Sequence, residues 1–166
     1  RVGWAGSVNR VGDLMLLQEV VRATAKEVDW VFMGYCPDAL RPLIREFHPG
    51  VPVQDYPRAL AELRLDIAVA PLVANAFNEA KSNLKLLEYG ALGYPVVCSN
   101  LLPYQGTLSV IRVGNTPQQW TRAIRELAHD APQRNALGST LQQEVRQNWM
   151  IQSHLDAWLE AWTQKN

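Results

Sequence analysis

The sequence is short of several things, and each shortage closes a class of function. It holds two cysteines, Cys36 and Cys98, with no Cys-x-x-Cys pair, and its histidines, His48, His129 and His154, are scattered. That pattern argues against a metal site or a disulfide scaffold. It predicts two buried free thiols, as suits a cytosolic protein. Neither charge is in excess: 16 Lys+Arg balance 16 Asp+Glu. A nucleic-acid binder leaves a basic footprint, so no nucleic-acid partner is expected. No apolar run approaches ~18 residues, so no transmembrane segment is expected. The opening Arg1-Val2-Gly3-Trp4-Ala5-Gly6 lacks the charged and apolar regions of a signal peptide. Internal repeats, low-complexity tracts and Asn-x-Ser/Thr sequons are also missing.

What is present is enough apolar sequence for one core: 166 residues, 48% hydrophobic. A single domain over 1–166 is expected. The chain enters strand-like sequence at once and without Met, so it reads as a piece of a longer protein. Short apolar blocks alternate with helical periodicity. Strands are predicted at 2–5, 30–33, 51–53, 66–70, 95–98 and 108–113. Helices are predicted after Asp13 (a candidate N-cap, with Leu14, Leu17, Val20 and Val21 at helical spacing), over 37–47, 57–63 and 81–92. From 116 to the end the chain reads helical, with breaks near Pro132 and Trp149. Strands that are apolar throughout, separated by helices, predict a doubly wound, Rossmann-like α/β domain with about six parallel strands and extra C-terminal helices. Ligands of such sheets bind beyond the carboxyl ends of the strands.

Two segments there could carry chemistry. The first is the loop Gly6-Ser7-Val8-Asn9-Arg10-Val11-Gly12-Asp13, a turn into a helix start with a guanidinium suited to phosphate. It is neither a G-x-G-x-x-G fingerprint nor a P-loop. An ordinary turn with a solvated Arg10 is the competing reading. The second runs from Pro71 to Gly90. On a helix over 81–92, Lys81, Lys85 and Glu88 share one face, while Leu84, Leu87 and Ala91 pack on another. The ammonium groups could face a diphosphate, and the carboxylate could accept bonds from vicinal hydroxyls. A solvated stripe with a Lys85–Glu88 ion pair fits the same spacing.

The block Phe77-Asn78-x-x-Lys81-Ser82-x-x-Lys85-x-x-Glu88-Tyr89-Gly90-Ala91-x-Gly93-x-Pro95-Val96-Val97 resembles the donor-binding signature of the group-one (family-four) retaining glycosyltransferases. It is most similar to the branch found in bacterial surface-polysaccharide and lipopolysaccharide clusters. The resemblance extends to the strands at 31–34 and 66–72 and to the C-terminal helices with Trp149, Trp158 and Trp162. It implies the C-terminal, donor-binding half of a GT-B enzyme, with the N-terminal acceptor domain absent. It also implies a nucleotide-sugar donor, a glycan or lipid-linked acceptor, and a cytoplasmic location, peripheral at the inner membrane face in the full protein. No cofactor or metal is implied, and Asp-x-Asp is missing.

By the same resemblance Glu88 binds the ribose hydroxyls, Arg10 the diphosphate, and Gly6-Ser7 is the glycine-rich turn. Lys81-Ser82-Asn83 contacts phosphates or sugar, Tyr56 lies near the base, and Asn78 and Lys85 complete the donor-binding set. The catalytic residues are unknown; Arg10 and Lys81 are candidate stabilisers of the leaving group. One departure stands out: the family's earlier glutamate, eight positions before Glu88, is Ala80 here. A noncatalytic nucleotide- or sugar-binding module is therefore the alternative. The nonhydrolysing sugar-nucleotide epimerases match the block less well, and a receiver-like domain lacks its acidic pair. Trp158 and Trp162, four apart, predict core packing or docking, including homo-association through the C-terminal helix.

Overall fold

In the computed structural model, which describes residues 1–7 and 11–163, six short strands form one parallel sheet. They are β1 (Val2–Ala5), β2 (Trp30–Gly34), β3 (Glu46–Pro49), β4 (Ile67–Ala70), β5 (Val96–Ser99) and β6 (Ile111–Val113). Their spatial order is β3-β2-β1-β4-β5-β6. The first strand is therefore central, and the winding reverses between β1 and β4, where Val2 pairs with Ile67. The helices are α1 (Val11–Met15), α2 (Gln18–Thr24), α3 (Tyr56–Glu62), α4 (Ala76–Glu79), α5 (Leu84–Ala91), α6 (Pro117–His129), α7 (Ala131–Asn148) and α8 (Leu155–Thr163).

Side chains alternate across the pleat, so each strand feeds both faces of the sheet. On one face Val2, Trp4, Phe32 and Val69 pack against Leu14, Leu17, Val20 and Val21 of the first helical stretch and Trp120, Ile124 and Leu127 of α6. On the other, Ala5, Val31, Ala68, Val96 and Cys98 meet Leu60 and Leu63, Leu86 and Tyr89 of α5, and Leu141 and Val145 of α7. Two covered faces explain why the central strands are apolar throughout. Trp30 stacks edge-on to Phe32 at 5.9 Å and donates its indole N–H to Thr24.

Three elements differ from the sequence expectation. Residues 37–47 are not a helix: turns and one 3₁₀ turn (Arg41–Leu43) lead into β3. The third strand is thus Glu46–Pro49, and 51–53 is not a strand, with Val53 exposed at the start of a turn. β3 is an edge strand paired only to β2, so a mixed sequence suffices. Phe47 packs on the core, under the Arg41 guanidinium 4.0 Å from its ring centroid. The helix expected over 81–92 starts late, and a separate short helix, α4, precedes it in the expected loop. Asn75 caps α4 by accepting from the Asn78 N–H at 2.8 Å, and α5 begins only at Leu84. Ser82 and Asn83 favour such local turns over helix interior. The inward face of α5 is Leu86, Tyr89 and Gly90, whereas Leu84 is 57% exposed. Gly90 sits in the contact with α7, where a Cβ would lie 2.8 Å from Val145 and 2.9 Å from Leu141.

At the C-terminal end the break falls at Asp130, which caps α7 by accepting from Gln133 N–H. Leu155, Trp158, Leu159 and Trp162 of α8 are all exposed, so Trp158 and Trp162 do not pack into the core. Among the described residues, no helix is long and apolar enough to cross a membrane.

Cys98 is buried and Cys36 half-buried, both free. Burial pushes the Cys98 thiol up to about 12. At pH 8 Cys98 should resist iodoacetamide in the native protein and react only under denaturant, as read by mass spectrometry. Native alkylation of Cys98 at the rate of an exposed thiol would contradict its placement.

Candidate functional site

A cavity of about 540 Å³ opens beyond the carboxyl ends of β1, β2 and β4, at the reversal of strand order. That volume lies within the range of small-ligand pockets. Its floor is backbone. Gly6 N–H donates to the Met33 carbonyl at 3.0 Å, and Gly34 turns at φ +89°. A Cβ on Gly34 would come within 2.1 Å of the Gly6 carbonyl oxygen, so only glycine lets the two loops meet there. Of the residues expected from sequence, Gly6, Ser7, Tyr56, Lys81, Ser82, Lys85 and Glu88 line this cavity. Arg10 lies outside the described residues. Asn78 and Asn83 do not line the cavity.

One wall is built around Asp13. The sequence suggests an N-cap, but Asp13 lies within α1 and is buried, 6% exposed. One carboxylate oxygen accepts from the Val73 N–H at 2.8 Å and from the Asn78 amide at 2.7 Å. The other accepts from the Lys81 ammonium at 3.3 Å. Lys81 also donates to the Asn78 side-chain oxygen Oδ1, and its ammonium lies 4.9 Å from the Phe77 ring centroid. Asn78 thus points inward as part of the scaffold. Lys81 does not share a helical face with Lys85 and Glu88; it comes from the segment between α4 and α5.

The opposite wall is α5 with Tyr56. Lys85 donates to one oxygen of Glu88 at 2.8 Å and to the Tyr56 hydroxyl at 3.0 Å. Tyr56 donates to that same Glu88 oxygen at 3.1 Å. The ion pair is recessed, with side chains 26% and 24% exposed, and is not a solvated stripe. Burial, and then the neighbouring Glu88 charge, hold the Tyr56 phenol well above its ordinary range, so it stays protonated and donating. Tyr89 anchors α5 from below, its hydroxyl accepting the Ala5 N–H at 3.0 Å.

Sequence reasoning missed Asp13 as an anchor, and Gly34, Gly50, Val51 and Tyr104 as lining. Gly34 carried a signal, a glycine closing a central strand. Asp13 carried none, because its partners lie some 60 residues away. Among the described residues, no group of three His, Cys, Asp or Glu could hold a metal.

A doubly wound parallel sheet with a charged crevice at its reversal point defines a Rossmann-like ligand-binding domain. Within that class, the model of the family described as glycosyl transferases group 1 matches residues 1–130, and the chain belongs to that family. No curated protein matches it. HepE of Anabaena, solved in complex with UDP and glucose, superposes with a TM-score of 0.78 at 12% identity. The match covers 99% of this chain and 48% of HepE. TarM gives 0.70 at 17% identity, over 98% of this chain and 35% of its own. A protein assigned as a UDP-N-acetylglucosamine 2-epimerase, from Listeria monocytogenes, gives 0.55 at 12%, over 96% and 45%. At these identities the likeness shows the fold alone. The chain spans less than half the length of each of these structures.

Removing the Asp13 carboxylate takes the side-chain acceptor from the Val73 N–H and one acceptor each from Lys81 and the Asn78 amide. Breaking a buried pair from one side costs roughly 3–5 kcal/mol. Asp13→Ala should therefore lower stability by about that much in urea unfolding, and Asp13→Asn by less, since it keeps an acceptor. Equal and small losses in both variants would show that the anchor is not one.

Proposed function

We propose that this chain is the donor-binding half of a glycosyltransferase that moves a sugar from a nucleoside diphosphate to a glycan or lipid-linked acceptor with retention. The observation that carries the reading is the separation of two ion pairs, Lys81 with Asp13 and Lys85 with Glu88, on different walls of the crevice. Lys81 stands on the wall formed after β4, while the Glu88 carboxylate stands one wall away on α5. A diphosphate beside Lys81 and a ribose beside Glu88 would use both walls at once. HepE, with UDP and glucose bound, shares the fold, which supports placing a nucleotide sugar in this crevice.

Departure of the nucleoside diphosphate leaves negative charge on its outer phosphate. Ammonium and guanidinium groups set in place beforehand stabilise that charge without reorganising. Lys81 is the group assigned to this task, held by Asp13 and Asn78, with Arg10 as a second. No metal is required in this scheme. Deprotonation of the acceptor is assigned to the other half of the enzyme. The isolated chain is therefore expected to bind nucleotide and not to turn over.

The Ala80 position favours a second reading. Ala80 ends α4, and no carboxylate stands there; among the described residues, Asp13 and Glu88 supply the only carboxylates of the cavity lining. In the family signature that position helps hold the donor sugar. Its loss would suit a noncatalytic nucleotide-binding module, unless Lys81 takes over the sugar or phosphate contact.

A thermal-shift titration with nucleoside diphosphates and nucleotide sugars tests the proposal. Ligand at 100-fold its Kd adds about 2.7 kcal/mol of stability. One base should stabilise the chain, and both Glu88→Ala and Lys81→Ala should reduce that gain. Stabilisation unchanged by both substitutions would place the nucleotide elsewhere. Transfer by the full-length protein that survives Lys81→Ala would overturn the role given to Lys81.

A further inference from the structure

We infer that Tyr56 and Lys85 are positioning residues that turn the Glu88 carboxylate edge-on to the cavity and make it select a ribose diol over a deoxyribose. The inference rests on the donor-binding reading above and adds to it. A carboxylate has two oxygens and roughly four sites for donors. In this protein both side-chain donors fall on the same oxygen, Oε2: Lys85 at 2.8 Å and Tyr56 at 3.1 Å. Glu88 Oε1 takes no hydrogen bond from any described residue. The group is therefore half satisfied by the protein and half open, and the open oxygen is the one left to meet a ligand's hydroxyl.

The three side chains form a closed triangle. Lys85 also donates to the Tyr56 hydroxyl at 3.0 Å, so that hydroxyl accepts one bond and donates another. The Lys85 ammonium lies 5.5 Å from the Tyr56 ring centroid and 5.4 Å from that of Tyr89. Held between two aromatic faces and a carboxylate, it has little freedom to reach a phosphate. Its charge serves Glu88 and the Tyr56 hydroxyl. Tyr56 opens α3, so it brings the residues that follow β3 into contact with α5 across the cavity wall. The phenol hydroxyl is committed to Glu88 and is not free to read a base edge.

A fixed acceptor discriminates because it cannot turn away when its donor is missing. A ligand lacking the ribose hydroxyls leaves Oε1 desolvated and unpaired. Losing a hydrogen bond to a charged group weakens binding about tenfold to hundredfold. Without Tyr56 or Lys85 the carboxylate can rotate toward water and recover solvation, so the penalty for the missing hydroxyls shrinks.

The experiment is isothermal titration of the chain with UDP, GDP, ADP and CDP, and then with the 2′,3′-dideoxy form of whichever binds. It is repeated on Tyr56→Phe and Lys85→Met, each checked for an unchanged fold by its ligand-free melt and circular dichroism. The wild type should favour the ribonucleotide about tenfold to hundredfold over its dideoxy form. Each variant should lose most of that ratio, chiefly because the dideoxy form binds it more tightly than it binds the wild type. Variants that bind both forms equally more weakly, at an unchanged ratio, would overturn the inference and leave the donor-binding reading standing. Failure of the wild type to bind any of the four nucleotides at millimolar concentration would overturn both.

Discussion

The crevice keeps its shape because one buried carboxylate ties together two segments from opposite sides of the strand-order reversal. Asp13 stands on the helix that follows β1. Among the described residues it accepts from Val73, Asn78 and Lys81, which all belong to the segment that follows β4. A charge taken out of water needs several donors to be tolerable. These bonds are not equal. The two bonds to one oxygen are 2.7 and 2.8 Å, while the ammonium lies 3.3 Å from the other. The loop is therefore fastened to Asp13 by backbone and amide, and the ammonium is shared between Asp13 and the Asn78 side-chain oxygen.

The break between α4 and α5 has a matching effect. A continuous helix would set Lys81, Lys85 and Glu88 in one row, and their charges would largely cancel along it. Ending α4 at Glu79 and restarting at Leu84 moves Lys81 off that row and onto the Asp13 wall. Lys85 and Glu88 stay together on the other side. One short stretch thus contributes to two walls, each with its own ion pair. The same fold occurs in a protein assigned as an epimerase and in this chain of the glycosyl transferases group 1 family. Such chemical differences therefore have to come from side chains in the crevice and not from the sheet.

Much of the fold was legible because buried parallel strands leave a plain mark. The runs Trp30 to Met33, Ile67 to Ala70 and Val96 to Cys98 are apolar on both faces, and each became a central strand. β3 was misplaced for the complementary reason. An edge strand has a single neighbour and a wet flank, so Glu46-Phe47-His48 carries no such mark. The site was legible where residues lie close in sequence, as in Lys85 and Glu88. It was hidden where it depends on a helix break, on a phenol 32 residues away, or on the pairing of Asp13 with a distant amide.

The central position of β1 sets an order in time. β1 borders β2 on one side and β4 on the other, and Asp13 must wait for Asn78, 65 residues later. At a ribosomal pace of 5–20 residues per second, that is about 3–13 s during which the first loop exists without the second. Throughout that interval one edge of β1 lacks its neighbour β4, and Asp13 lacks its bonds to Val73, Asn78 and Lys81. The crevice thus cannot arise as a local feature of the nascent chain: it forms only when the sheet closes across its middle.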